Sequence, residues 1–236
     1  MYRYILESNA ILKKTLSERT LFKTIPIIIK DPFLSNIDLD NVISEVERLL
    51  PYKLMYLLDN IYVGQFDFLT EKKLSALYSD NTVFINNIQK NDMSVILGII
   101  HELSHAIEEK FGLEIYGDKT IAHEFAVKRT WLFNFIKDHD IKTDKRPFLE
   151  KFNNLEYDEE FDNYLFNVLD YYFLLVNTPN VFLSPYSITS LSEYFSIGFE
   201  RFFGVKGERA LVQKLCPKLY IKLEMIEDIL QEGEGI

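Results

Sequence analysis

The sequence predicts an α+β fold with a small N-terminal mixed sheet plus helices and a mostly helical C-terminal lobe. Three observations carry this prediction. Short apolar runs bounded by turn residues lie before residue 87, a helical apolar repeat starts at Met93, and most apolar segments beyond it keep helical spacing. At 236 residues the chain can bury a sizeable core. A single domain over 1–236 is expected, with an N-terminal lobe over 1–112 and a helical lobe over 113–236.

Each element has a local reason. Ile25 to Lys30 (IPIIIK) is a nearly unbroken apolar run, the pattern of a buried strand. Asp40 to Leu50 alternates as an amphipathic helix and stops at Pro51, whose ring clashes with a continuing helix. Asn60 to Phe68 and Leu77 to Asn86 read as strands, the second split by the turn-like Ser79-Asp80-Asn81. From Met93 to Phe111, Ile96, Ile99, Ile100, Leu103 and Ile107 fall on one helix face. Asn91 or Asp92 can cap its start, and Gly112 is expected to stop it. Beyond it, helical regions are expected around Asp158 to Leu175 and Ser190 to Phe203. The aromatic-rich Tyr164 to Leu175 suits a core helix, a partner surface or a cover over a cleft.

Composition narrows the function classes. Hydrophobic content of 47%, with 19 Phe and 14 Tyr, is that of a globular chain. A formal charge of -10 disfavours a nucleic-acid partner, because no Lys/Arg cluster is present to neutralise phosphates. One cysteine, Cys216, allows neither an intramolecular disulfide nor a thiolate metal cluster. The N-terminal Met1 to Ser8 has no basic region followed by a long apolar core, and no run approaches a membrane span. A cytoplasmic location without membrane attachment is expected; a trimmed leader would make the protein secreted. No phosphate-binding loop, dinucleotide glycine run or serine nucleophile elbow is present. The acidic run Asp158-Glu159-Glu160 lacks a glycine-centred calcium loop and fits a solvated helix face. His123 and His139 read as surface residues.

The informative segment is His101-Glu102-Leu103-Ser104-His105. Two His four residues apart on a helix project from one face, so both imidazoles can reach one Zn²⁺ while the Glu between them approaches the attacking water. This HExxH pattern points to a zinc hydrolase with His101 and His105 as metal ligands and Glu102 as general base. A plain core helix would leave two imidazoles needing partners to offset desolvation. A catalytic zinc site needs a third protein ligand. Glu124, 19 residues after His105, has a spacing common among zinc peptidases. Glu193 lies further on.

Tyr186, Glu193-Tyr194-Phe195 and Cys216-Pro217, following the HExxH pentad in that order, resemble the anthrax lethal factor-like zinc metallopeptidases, a family that includes the Pro-Pro endopeptidases. The resemblance runs from Leu77 to about Leu230. It implies a zincin-like metallopeptidase fold and a Zn²⁺ cofactor, with Glu193 as third ligand and Tyr186, seven residues earlier, as oxyanion donor. That offset favours Glu193 over Glu124, whose other reading is an exposed partner of Lys128 at i,i+4. For Tyr186 the plainer reading is a loop residue packed after Pro185. The chain departs from the family in a longer stretch before Glu193 and in Ile197, where relatives often carry an acid.

The expected function is therefore a zinc endopeptidase acting on a peptide or protein substrate, with Leu77 to Asn86 as the strand whose edge an extended peptide would join. Two alternatives stand beside it. One is a zinc-stabilised interaction module without catalysis, and the other is a phage-type repressor-cleaving peptidase using Glu124. Oligomeric state is left open.

Overall fold

The computed structural model describes residues 19–139 and 148–232. Five strands, β1 (Thr20–Leu21), β2 (Ile25–Ile29), β3 (Asn60–Gly64), β4 (Ala76–Ser79) and β5 (Thr82–Asn86), form one sheet in the order β1-β2-β3-β5-β4. The three central strands are parallel and both edges antiparallel, so the sheet is mixed. Ile27 pairs with Ile61, and Ile61 with Val83. This register puts Ile25, Ile27, Ile61, Val63, Val83 and Ile85 on one face, all buried, as a period of two requires. On the opposite face Tyr62 stacks on its cross-strand partner Phe84 at 5.6 Å.

Helix α1 (Leu39–Leu49) starts where the side chain of Asp38 accepts from the backbone N–H groups of Asp40 and Asn41, and it ends before Pro51. The strand expected over Asn60 to Phe68 is shorter, because Gln65 donates its N–H to the Asp31 carboxylate at 2.9 Å instead of continuing the ladder. The Phe66 carbonyl then accepts from Leu69 and Thr70, which starts helix α2 (Asp67–Glu71). Phe66 and Phe68 turn onto Phe84. Asp80 and Asn81 both have positive φ, 49° and 55°, and close β4 onto β5 with a two-residue turn. Of the expected edge strand over Leu77 to Asn86, only β4 lies at the edge; β5 is enclosed between β3 and β4.

Helix α3 (Asp92–Tyr116) carries the HExxH pentad. Asn91 is its cap, accepting from Ser94 N–H at 3.0 Å, while Ser94 Oγ accepts from the N–H of Asn91. Asp92 bonds Asp38 and Asn41 instead. The expected stop at Gly112 is found one residue earlier as a break: the backbone leaves helical geometry at Phe111 (φ -118°, ψ 24°), and a further helical stretch runs to Tyr116, with Ile115 fully buried.

The described residues divide into two compact units, one made of those up to Ala106 together with those from Leu230, the other lying within Ile107–Ile229. The division falls within α3, six residues before the expected boundary after 112. The second unit contains helices α4 (Thr120–Asp138), α5 (Phe148–Asn153), α6 (Glu159–Asn163), α7 (Tyr171–Asn177), α8 (Leu191–Phe199), α9 (Arg209–Leu215) and α10 (Pro217–Glu232, which runs on past its end). A wider π-helical segment joins α6 to α7 and breaks at Asp170 (φ 71°). Tyr164, Leu165, Leu169 and Leu174 point inward there while Phe166, Tyr172, Leu175 and Val176 are exposed, so Tyr164 to Leu175 is not one buried helix. Gly198 lets α8 and α10 approach closely, since a Cβ at this position would meet Leu219 Cδ2 at 2.3 Å.

Arg129 on α4 is fully buried and donates to the carbonyls of Lys151 (2.7 Å) and Asn154 (2.5 Å), the C-terminal end of α5. Its guanidinium lies 4.3 Å from the Phe161 ring centroid. Burial lowers its pKa to about 10, still charged at neutral pH. Arg129→Ala would strand two carbonyls and leave a cavity, costing about 3 kcal/mol or more. A fall in Tm on the order of 10 °C is expected in thermal unfolding; an unchanged Tm would show that the buried cation contributes no net stability.

Among the described residues no helix is long and apolar enough to cross a membrane. Met1 to Ser8, read for a leader, lies outside the described residues.

Candidate metal centre

The packing of α3 presents its two imidazoles. Ile96, Ile99, Ile100, Leu103 and Ile107 are all buried, which turns His101 and His105 to half-buried positions at the border of the apolar face. Their rings meet edge to face with centroids 5.2 Å apart. Glu102, only 6% exposed, accepts the backbone N–H of Tyr78 at 2.7 Å. Tyr78 faces Val83 across the hairpin, and the two-residue turn makes that a non-hydrogen-bonded pair, so this N–H points outward along the edge of the sheet. Glu102 is thereby oriented by strand β4.

Glu193 is placed by its own helix start. Ser190-Leu191-Ser192-Glu193 is a capping sequence, and Ser190 Oγ accepts the N–H of Glu193 at 3.0 Å. A 3₁₀ turn over Tyr186–Ile188 precedes it, and the Tyr186 hydroxyl donates to Glu193 Oε1 at 3.2 Å. Burial pushes the Tyr186 pKa well above its ordinary value, and the charge of Glu193 and its hydrogen bond push it further, with Asp162 and Tyr171 adding to the effect. Tyr186 therefore keeps its proton as a hydrogen-bond donor.

One ligand atom from each of His101, His105 and Glu193 lies within 4.8 Å of the others, a group that could hold a metal ion. Four positions singled out in the sequence for the metal site, His101, His105, Glu193 and Tyr186, are thus tied to one another by this geometry and by the Tyr186 to Glu193 bond.

Glu124 has other work. Its Oε2 accepts from Lys218 N–H at 2.9 Å, and its Oε1 accepts from Leu219 N–H at 3.3 Å and from the Tyr194 hydroxyl at 2.9 Å. These contacts cap α10, where Pro217 occupies a first-turn position that needs no N–H. The expected Glu124–Lys128 surface pair is replaced as well. Lys128 Nζ donates to the carbonyls of Val181 (2.6 Å) and Leu215 (2.7 Å) and approaches Cys216 Sγ at 3.3 Å. Cys216 is buried, and that burial raises its thiol pKa. A cavity of about 610 Å³ lies beside this cap, lined in part by His123, Glu124, Lys128 and Lys218, and its lining includes none of the metal-site residues. Asp158 caps α6 through Phe161 N–H and pairs with Lys151 at 2.5 Å. His123 and His139 are exposed.

Two residues near the site went unnoticed in the sequence. Ser190 had a signal, the S-x-x-E pattern that ends on Glu193. Glu108 had a fainter one, its position three residues after His105 on the same helix. No protein-family model matches the chain, and no curated protein matches it.

Proposed function

We propose that the chain is a zinc-dependent endopeptidase resembling the anthrax lethal factor-like metallopeptidases. The observation that carries this reading is the convergence of two imidazoles and one carboxylate within 4.8 Å, with a nearly buried glutamate between the two His on the same helix. The donor set fits catalytic zinc, which takes three protein ligands and keeps a fourth position open, whereas structural zinc sites are closed and commonly use thiolates. His101, His105 and Glu193 would hold the ion. When bound it supplies a Lewis acid that polarises the scissile carbonyl and lowers the pKa of a water towards neutrality.

The protein's residues then have separable tasks. Glu102 accepts the proton of the attacking water and delivers it to the leaving amine nitrogen. Its hydrogen bond from Tyr78 fixes the carboxylate, so little reorganisation is needed for that transfer. Tyr186 turns its hydroxyl from Glu193 Oε1 to donate to the oxyanion of the tetrahedral intermediate. Strand β4, at the edge of the sheet and joined to Glu102 through Tyr78, is the strand that an extended peptide would pair with. A non-catalytic zinc module needs no acid–base group between its two His, and a repressor-cleaving enzyme of the Glu124 type would need the carboxylate that caps α10.

The test begins with zinc per chain, measured by elemental analysis on protein purified without added metal or affinity tag. A value near one is expected, together with cleavage of a peptide library that a zinc chelator abolishes. A value near zero that added Zn²⁺ does not restore would reduce the pentad to a helix surface, and bound zinc without cleavage would favour the interaction module.

A further inference from the structure

We propose that Glu108 is a positioning residue for the metal ligand Glu193, acting through the Ser192 hydroxyl; this inference rests on the metal-site reading above. Glu108 stands on α3 one helical turn after His105 and therefore near the same side of the helix. Its Oε2 accepts the hydroxyl of Ser192 at 2.7 Å, and its Oε1 accepts the hydroxyl of Tyr116. Ser192 is the residue before Glu193 in the first turn of α8. The helix carrying the two His thus grips the helix carrying the glutamate at a point one residue from the ligand on one side and three residues from a ligand on the other.

Two further contacts make this a fixed anchor. Tyr116 sits beyond the break at Phe111, and its ring meets Phe195, one turn further along α8, edge to face at 6.3 Å. Both elements that flank the Glu108 carboxylate are therefore held by the same pair of helices. Bonds from hydroxyls to an ionised carboxylate are shorter and stronger than neutral ones. Burial, followed by the charge of Glu108, raises the Tyr116 pKa far above its ordinary value, so this hydroxyl stays a donor. The Ser190 cap fixes the backbone of Glu193 within its own helix, while Glu108 ties that helix turn to the stretch of α3 that follows His105. Metal ligation tolerates only a few tenths of an ångström in ligand position, so loosening this anchor should be felt as metal affinity.

The experiment compares zinc dissociation constants, by competition with a chromogenic chelator, for wild type, Glu108→Ala, Glu108→Gln, Ser192→Ala, Tyr116→Phe and the Glu108→Ala/Ser192→Ala double variant. Thermal unfolding is measured alongside. Glu108→Ala and Ser192→Ala should each weaken zinc binding by about 10-fold or more, and the double variant should be no weaker than Glu108→Ala alone. Glu108→Gln, which keeps an acceptor oxygen, should restore most of the affinity. Tyr116→Phe, which keeps the ring on Phe195 but removes one of the two hydroxyls on the Glu108 carboxylate, should weaken zinc binding by less than Ser192→Ala does, so that affinity loss follows the contact to Ser192 and not the fall in Tm, a pattern that a merely structural carboxylate would not produce. If Glu108→Ala fails to fold, Ser192→Ala carries the comparison. Wild-type affinity in Ser192→Ala, or additive losses in the double variant, would overturn the inference while zinc on the wild type leaves the metal site standing. Absence of zinc from the wild type would overturn both.

Discussion

Glu102→Gln is expected to purify with one zinc per chain and to cleave peptide about 10²–10⁴-fold more slowly than wild type, the range that general acid–base catalysis contributes. The substitution keeps size and shape, and the Gln carbonyl oxygen can still accept the Tyr78 N–H that now reaches Glu102 Oε2 at 2.7 Å. The β4 edge and α3 should therefore hold their arrangement. What disappears is the capacity to take a proton from water and return it to the amine. Zinc stoichiometry and kcat/KM, measured on one preparation with a peptide that the wild type cleaves, separate the two roles. Wild-type turnover in the variant would remove Glu102 from the chemistry. Loss of zinc with retained fold would make its role one of holding the site together.

Glu193→Ala and Glu124→Ala should fail in opposite ways. Removing Glu193 takes away one of three protein ligands, and zinc affinity should fall by roughly 10²-fold or more, equivalent to about 2.7 kcal/mol. Stability of the metal-free protein should fall less than in Glu124→Ala, since the substitution withdraws the acceptor of the Tyr186 hydroxyl but keeps the backbone N–H that the Ser190 cap holds. Removing Glu124 withdraws the acceptor of three bonds, from Tyr194, Lys218 and Leu219. The Tyr194 hydroxyl lies on a fully buried side chain, so its loss of a partner adds to the loss of the α10 cap, for about 2–4 kcal/mol together. Zinc affinity should stay near wild type. Chelator competition and thermal unfolding on both variants check this, and the reverse pattern would transfer the ligand role to Glu124.

Much of the architecture was legible because it is local. The apolar period of α3, the Asp80-Asn81 turn and the stop before Pro51 each depend on neighbours within a few residues, and each is found where the sequence puts it. Strand ends were less legible. Gln65 leaves β3 because of Asp31, 34 positions away, and Phe66 and Phe68 continue the apolar pattern of a strand while their backbone has already begun a helix. The stop signal at Gly112 is met by the break at Phe111, but the return to helix as far as Tyr116, with Ile115 buried, left no mark in the local sequence. The position of Leu77 to Asn86 in the sheet was also beyond local reading, since strand order is set by pairing with β3 and not by composition.

By itself the sequence determined the order of elements, the placement of His101 and His105 on one helix face with Glu102 between them, and the choice of two glutamates. Helical and strand periods fix those features within one or two turns of chain. The Tyr186 offset favoured Glu193 and the tertiary structure brought its carboxylate to the imidazoles; tertiary structure alone decided that Glu124 caps a helix 94 residues later and that Glu108 reaches Ser192 across 84 residues. Contacts between such distant segments depend on how the helices pack, and that packing leaves no period or spacing in the local sequence from which it could be read.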